Sequence, residues 1–203
     1  MIKLACKVPK EITLAVSGGP DSMALLDFSL RGGRKVDVLH FNHGTDFSEA
    51  ATTLVMNYCE QREIPLRIIK LMAATDKNKS QEQDWSDQRR AYYKANHRVV
   101  ATAHHLDDAV EWWLMSCFRG KPRIMAVRNP EGEGIIRPFL TTEKAELVEW
   151  CNRHEVPYLM DPTNLDGSND RSKIRAAFGL AEIVNPGIRT TVRKMYEQEL
   201  KVA

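Results

Sequence analysis

Short apolar runs alternate along the chain with longer stretches in which apolar residues recur every three or four positions. Ile12, Leu14 and Val16 form the first run. Met23, Leu25, Leu26 and Phe28 then follow at helical spacing. Read this way, the pattern predicts strands over residues 12–16, 36–41, 66–71 and 98–103 and helices over 21–31, 48–62, 82–96 and 106–118. A run of strand–helix units argues for an α/β fold, a doubly wound parallel sheet of Rossmann type with helices on both faces. Right-handed crossovers place the C-terminal ends of such strands on one edge, where ligands bind near the reversal of strand order.

Three polar clusters fall on that edge: Ser17–Ser22, His40–Gly44 and Thr102–Asp108. Beyond residue 119 the pattern changes. Pro122, Pro130, Gly132, Gly134 and Pro138 break it up, and Asn129–Gly134 is a turn between short apolar runs, a predicted hairpin. A helix over about 142–154 follows, capped by Thr141 or Thr142. Residues 161–169 form a polar loop, and the tail from 187 is helical. The expected organisation is a nucleotide-binding core over 1–140 and a helical extension over 141–203 packed on it.

The first cluster, Ser17-Gly18-Gly19-Pro20-Asp21-Ser22, joins a strand to a helix. A helix N-terminus offers unbonded N–H groups and the positive end of the helix dipole, and paired glycines let the backbone approach an anion. The loop has no Lys and is too short for a Walker A sequence. The Asp21 carboxylate would repel phosphates unless a Mg2+ ion lay between them. The other reading is an ordinary turn in which Asp21 or Ser22 caps the helix. In the second cluster, His40 and His43 point to opposite faces at strand spacing, so joint metal ligation is not expected. His40 is expected to pack, with Asn42, His43 and Gly44 left facing a nucleotide or forming a plain loop. In the third, Asp107, Asp108 and Glu111 lie in the first turns of a helix, with Glu111 on the face of either aspartate. Three such carboxylates bind a cation or shift one another's pKa, and His104 stands beside them.

At 43% hydrophobic and 28% charged the composition is that of an ordinary globular protein, and 203 residues suffice for one α/β domain and a small appendage. No apolar stretch approaches the ~20 residues that span a bilayer. The N-terminal residues are too few and too charged for a signal peptide, so a cytoplasmic location is expected. Cys6, Cys59, Cys117 and Cys151 form no Cys-x-x-Cys pair. A net charge of +2 says little, but its distribution is uneven. Residues 119–128 carry Arg119, Lys121, Arg123 and Arg128 and no acid, and residues 171–203 carry seven basic side chains against three acidic ones. Such stretches meet nucleic-acid phosphates or are solvated faces.

Ser17–Ser22 resembles the pyrophosphate loop of the N-type ATP pyrophosphatases, which cut ATP between its α and β phosphates. Thr102-Ala-His-His-Leu-Asp-Asp-Ala-Val-Glu111 resembles a motif of the tRNA-isoleucine lysidine synthetases. So do His40-Phe-Asn-His-Gly44, Ile136-Arg137-Pro138-Phe139-Leu140, Asp161-Pro-Thr-Asn164 and Arg171-Ser-Lys-Ile-Arg175, in the family's order, over about residues 12–190. The resemblance implies an adenine nucleotide alpha hydrolase fold and a carbon–nitrogen ligase acting in two steps. ATP adenylates O2 of the wobble cytidine of an isoleucine tRNA with a CAU anticodon and releases pyrophosphate. Free lysine then displaces AMP. On that reading Asp21, Asp108, Glu111 and His104 are catalytic, and Asp21 and Asp108 hold Mg2+. Ser17, Gly18, Gly19, Asp21, Ser22, Asn42 and His43 bind ATP. Asp107, Arg119, Lys121, Arg123, Arg137, Asn164, Arg171 and Arg175 bind lysine or RNA. A homodimer is compatible with it.

Three stretches depart from the family. Its paired arginines before the fourth strand have no clean counterpart in Trp85–Tyr93, so no residue there is assigned. Lys121-Pro122-Arg123 replaces a glycine-rich segment after Arg119-Gly120. Many lysidine synthetases also continue into C-terminal domains that grip tRNA, so the resemblance implies a short form without them. The alternatives are a related ATP-dependent modification with another nucleophile, or a nucleotide-binding protein without catalysis. Thiolation fits less well, since thiolases of this fold use paired cysteines.

Overall fold

The computed structural model describes residues 2–72, 80–96, 99–129, 134–161, 170–184 and 186–202. Five strands form one sheet: β1 (Glu11–Ala15), β2 (Lys35–Asn42), β3 (Leu66–Lys70), β4 (Val100–Ala101) and β5 (Ile135–Ile136). All neighbours are parallel and the order is β3-β2-β1-β4-β5, so strand order reverses at β1. Leu14 stands opposite Val38 on one side and Ala101 on the other. Six helices are those expected: α1 (Pro20–Arg31), α2 (Asp46–Glu60), α3 (Gln81–Asn96), α4 (Leu106–Phe118), α5 (Lys144–Arg153) and, in the tail, α7 (Ile188–Val202). One more, α6 (Asp170–Val184), precedes α7.

Strand alternation sorts the core into two layers. Ile12, Leu14, Val16, Val36 and Val38 pack with Met23 and Leu26 of α1, Val55 of α2 and Leu147 of α5. Leu39, Phe41, Val100 and Ile135 face the other way and pack with Tyr93 of α3. A third cluster joins Leu106, Ala109 and Val110 of α4 to Phe178 of α6 and Val192 and Tyr196 of α7. The extension is therefore two pieces: α5 is part of the main core, while α6 and α7 lie on α4. A bond between Trp150 Nε1 and Asp27 Oδ2 at 2.9 Å ties α5 to α1, and the Tyr58 hydroxyl of α2 donates to the same buried aspartate at 3.3 Å.

The structure departs from these expectations in four places. The fourth strand is two residues long rather than six. Helix α5 is capped by Glu143 in a reciprocal pair with Glu146, not by Thr141 or Thr142. Those two hydroxyls instead donate to the Lys3 carbonyl, at 2.8 and 2.6 Å, and hold the N-terminal segment under the sheet edge. Flanks of the expected hairpin do meet in an antiparallel bridge between Arg128 and Ile136, although its turn lies outside the described residues. Ile135 and Ile136 also pair with β4 and close the sheet, which the sequence pattern did not indicate. Helix α6 was not foreseen as an element either.

Candidate active site

The phosphate-type loop has the backbone its composition requires. Gly18 takes φ +86°, which only glycine adopts without strain, and α2 leaves no room there, since a Cβ would lie 3.2 Å from Cβ of Ala51. Gly19 is extended and precedes Pro20, whose fixed φ suits the first helical position. Ser22 is buried inside the loop. Its Oγ accepts from the Ser17 N–H at 3.1 Å and donates to the Gly19 carbonyl at 3.0 Å. The Leu159 N–H straps the loop from outside by donating to the Gly18 carbonyl at 2.9 Å. Ser17, Gly19 and Asp21 line the cavity that the loop faces, while Ser22 acts from behind it.

Above the loop, α4 begins on His105. The His105 N–H donates to Asp108 Oδ2 at 3.0 Å, and the imidazole caps the Asp108 N–H in return. The ring is buried at the centre of the carboxylates. Its Nε2 lies 3.6 Å from Asp21 and 3.4 Å from Asp108, and its Nδ1 lies 3.6 Å from Asp107. Burial works against a charge on His105, but Asp108, Asp21 and Asp107 outweigh it and raise its pKa above the ordinary histidine value. Three helices, α1, α4 and α5, start around this ring. The N–H of Lys144, first residue of α5, donates to Asp107 at 2.8 Å, and its Nζ stands 4.0 Å from Asp21.

Helices α6 and α7 supply the countercharges. Arg175 donates to the buried Glu111 at 2.8 Å. Arg189 donates to Asp107 through two nitrogens, at 2.7 and 3.0 Å, pairs with Glu182, and lies over the Phe178 ring. Burial opposes ionisation of Asp107, yet the Lys144 N–H, Arg189 and His105 hold its carboxyl below the usual range. Asp21 is different: its Oδ1 is buried and has no hydrogen-bond partner among the described residues. A hard carboxylate oxygen left unbonded beside a helix N-terminus is the donor a magnesium ion takes, so Asp21, with Asp108 across His105, fits Mg2+. Among the described residues no group of three or more His, Cys, Asp or Glu is arranged as a ready-made metal site.

All of this opens on one cavity of about 940 Å³ that also reaches Phe41, His43, Phe47, Ser48, Met160 and Asp161. A smaller cavity of about 140 Å³, lined by Thr13, Asp37, Arg67 and Tyr92, lies on the sheet face under α3 and holds none of this chemistry.

The structure brings together Ser17, Gly19, Asp21, His43, Asp107, Asp108, Glu111 and Arg175 from the residues expected in the site. Asn42 lies beneath it instead. Its buried amide donates to Thr52 at 2.9 Å and accepts from the Gly44 N–H at 2.7 Å, so it shapes the turn that carries His43. His40 packs as expected, with Nδ1 2.8 Å from the Val16 carbonyl oxygen and Nε2 2.8 Å from the Thr52 hydroxyl. His104 is turned to Thr102, 2.8 Å away, and does not line the cavity; His105, one residue on, occupies the centre. Arg119, Lys121 and Arg123 stand at the far end of α4, where Ser116 anchors their loop by accepting from the Arg123 N–H at 2.9 Å. Arg137 braces residues 126–129 by donating to the Ala126 carbonyl and to Asn129. Asn164 and the side chain of Arg171 lie outside the described residues.

The sequence reading missed Lys144, Glu182, Arg189 and Arg89. An isolated charge in a helix carries no local mark of the distant group it meets. For Arg189, the one available signal was its place in a basic tail.

A family model described as a PP-loop domain matches residues 2–180. A tRNA(Ile)-lysidine synthase from Aster yellows witches'-broom phytoplasma is 33% identical over 184 residues, 86% of this chain and 42% of that protein. One from Staphylococcus aureus is 33% identical over 191 residues, 83% of this chain and 43% of its own length. A bifunctional protein TilS/HprT from Listeria innocua, also 33% identical, is covered over 28% of its length. The chain thus spans less than half the length of these curated relatives. Among solved structures, a U34-tRNA thiolase from Methanococcus maripaludis superposes with a TM-score of 0.72 at 17% identity, covering 94% of this chain and 72% of that one. An NH3-dependent NAD synthetase from Campylobacter jejuni does so at 0.52 and 14% identity, covering 96% and 85%. These two share the fold. A glycine loop stapled by Ser22 at the first strand, carboxylates gathered over it from α1 and α4, and a family match across residues 2–180 agree, and the chain belongs to the PP-loop domain family.

Proposed function

We propose that this chain is the catalytic core of a tRNA(Ile)-lysidine synthetase. The observation that carries the reading is the unbonded, buried oxygen of Asp21, set between the N-terminus of α1 and the carboxylates of α4. The 33% identity to lysidine synthases supports it. In this reading ATP lies with its phosphates over Ser17–Asp21. O2 of the wobble cytidine attacks the α phosphorus, the bond to the bridging oxygen breaks, and pyrophosphate leaves. The N–H groups of the loop bind the charge that develops on the leaving group. Asp21 and Asp108 would hold Mg2+, which when bound neutralises phosphate charge.

In the second step the amine of free lysine attacks C2 of the base, gives up a proton, and AMP departs with O2. In this reading a carboxylate among Asp107, Asp108 and Glu111, each already engaged by a basic group or a helix-cap bond, receives the ammonium and takes its proton. Their chemistry does not choose the RNA; in this reading the basic residues Arg119, Lys121 and Arg123 meet its phosphates. No cysteine lines the cavity among the described residues, and burial pushes the thiols of Cys59 and Cys151 up to about 11 and 12, away from the thiolate form that sulfur chemistry uses.

The test is incubation with ATP, labelled lysine and an isoleucine tRNA bearing a CAU anticodon. Label in the tRNA with stoichiometric pyrophosphate and AMP is expected. ATP turnover to AMP on another acceptor, with no label in tRNA, overturns lysidine synthesis and keeps the adenylation. Asp21→Ala is expected to abolish pyrophosphate release, measured by a coupled phosphate assay; near wild-type release would remove Asp21 from the phosphate site.

A further inference from the structure

The arginines before the fourth strand were left unassigned by motif. One of them has a definite position. Arg89 of α3 donates from Nη1 to Nε2 of His43 at 2.8 Å. A guanidinium has no acceptor, so the direction of this bond is settled. A neutral imidazole accepting at Nε2 carries its proton on Nδ1. Burial first, then the positive charge of Arg89, pushes the His43 pKa down to about 4, so the ring is neutral near pH 7.

The ring is also fixed in place. Trp85 meets it edge-on, with ring centroids 4.6 Å apart at 66°. The His43 N–H donates to Ser48 Oγ at 2.7 Å, and Asn42 pins the next residue. Nδ1 makes no bond to the described residues, is not sealed from solvent, and belongs to a residue that lines the large cavity. Beside its charged groups the cavity lining includes the apolar side chains of Phe41, Phe47, Leu159 and Met160, and Asp161 is the acid close enough to act on His43. An apolar wall with one oriented donor suits the planar base of a nucleotide rather than its phosphates.

We propose that Arg89 is a positioning residue: it fixes His43 as the Nδ1–H tautomer, and that N–H donates to a ring nitrogen of the bound adenine. This rests on the ATP reading above. Arg89 then acts on nucleotide recognition without touching the nucleotide, and His43 contributes a donor that is set before binding. An unconstrained histidine side chain favours the proton on Nε2, so the lock has an observable signature of its own.

Long-range proton–nitrogen NMR on the full chain at pH 7 is expected to show His43 protonated on Nδ1. In Arg89→Met the Nε2–H form should appear, and Arg89→Lys, which restores one donor, should largely return Nδ1–H. Calorimetric binding of ATP and of adenosine should weaken about tenfold in Arg89→Met, as for loss of one hydrogen bond, and pyrophosphate binding should not change. One of the 1-, 3- and 7-deaza analogues of ATP should bind wild type less well than ATP, and that deficit should vanish in His43→Ala. An Nε2–H tautomer in the wild type, or an equal loss of pyrophosphate and adenosine binding in Arg89→Met, overturns the inference. So does unchanged ATP affinity in that variant, while leaving the ATP reading intact. A wild-type chain that binds neither ATP nor pyrophosphate overturns both.

Discussion

Gly18 shows how a single residue sets the geometry of the loop. Two separate constraints meet there: a positive φ and the close approach of Ala51. Gly18→Ala is therefore expected to cost about 1–2 kcal/mol, read as a lowered urea midpoint, with weakened ATP binding. Adding Ala51→Gly relieves the contact but not the dihedral, so recovery should be partial. His43 gives a pH signature at the same scale. Its pKa is 6.5 in the unfolded chain and about 4 in the folded one, because burial and Arg89 disfavour its charge. Below pH 6.5 the unfolded chain binds the extra proton, so this contribution to stability is complete above 6.5 and is lost as the pH falls toward 4. The ring is partly exposed, which reduces the effect to about 1 kcal/mol. Urea unfolding at pH 7 and pH 5 should show a smaller loss in His43→Gln than in the wild type.

Among the elements, α4 carries the most information. Its cap and first two turns hold His105, Asp107, Asp108 and Glu111, and its last leads to the basic loop, about 20 Å away for 13 residues. Helices α6 and α7 lie along it and are attached by ion pairs: Arg175 to Glu111, Arg189 to Asp107, and Arg193 of α7 to Glu143 at the head of α5. Glu111 is almost fully buried while Arg175 is not, so the pair is asymmetric. Arg175→Met leaves a buried carboxylate without its main countercharge and is expected to cost about 2 kcal/mol. In the double variant with Glu111→Gln part of that should return, since the charge has gone from both sides; urea midpoints of the four proteins give the coupling.

The same element shows what the sequence could and could not disclose. Carboxylates at positions 107, 108 and 111 are close in sequence, and helical spacing alone places them together. His40 and His43 were separable by strand alternation, and they do face α2 and α3 respectively. Lys144 and Arg189 lie 37 and 82 positions from the aspartate they meet, and no local pattern encodes such a meeting. His104 and His105 were indistinguishable by residue type; the cap geometry at the start of α4 separates them. The two-residue β5 was hidden because a strand that short has no alternation to read.

At the scale of the whole molecule, charge is divided by position. In the cavity acidic groups are met by Lys144, Arg175 and Arg189, whereas Arg119, Lys121 and Arg123 stand at the opposite end of α4, away from those carboxylates, Arg123 lying over the Trp112 ring at 5.5 Å. The described helices include none long and apolar enough to cross a membrane. For the proposed RNA substrate, Lys121→Ala with Arg123→Ala should weaken binding about equally across sequences. The slope of log affinity against log salt should fall by about 1–2, as for two lost phosphate contacts. An unchanged slope in filter binding would place the RNA elsewhere.

The guanidinium of Arg189 grips a carboxylate that the ribosome assembled 82 residues earlier. The phosphate loop emerges first, and the last countercharge of the site emerges only with α7. A growing chain therefore carries glycine-loop N–H groups long before it carries the balanced set of charges above them. Activity in ribosome-tethered chains of increasing length should accordingly switch on in one step, once α7 has cleared the exit tunnel and docked on α4.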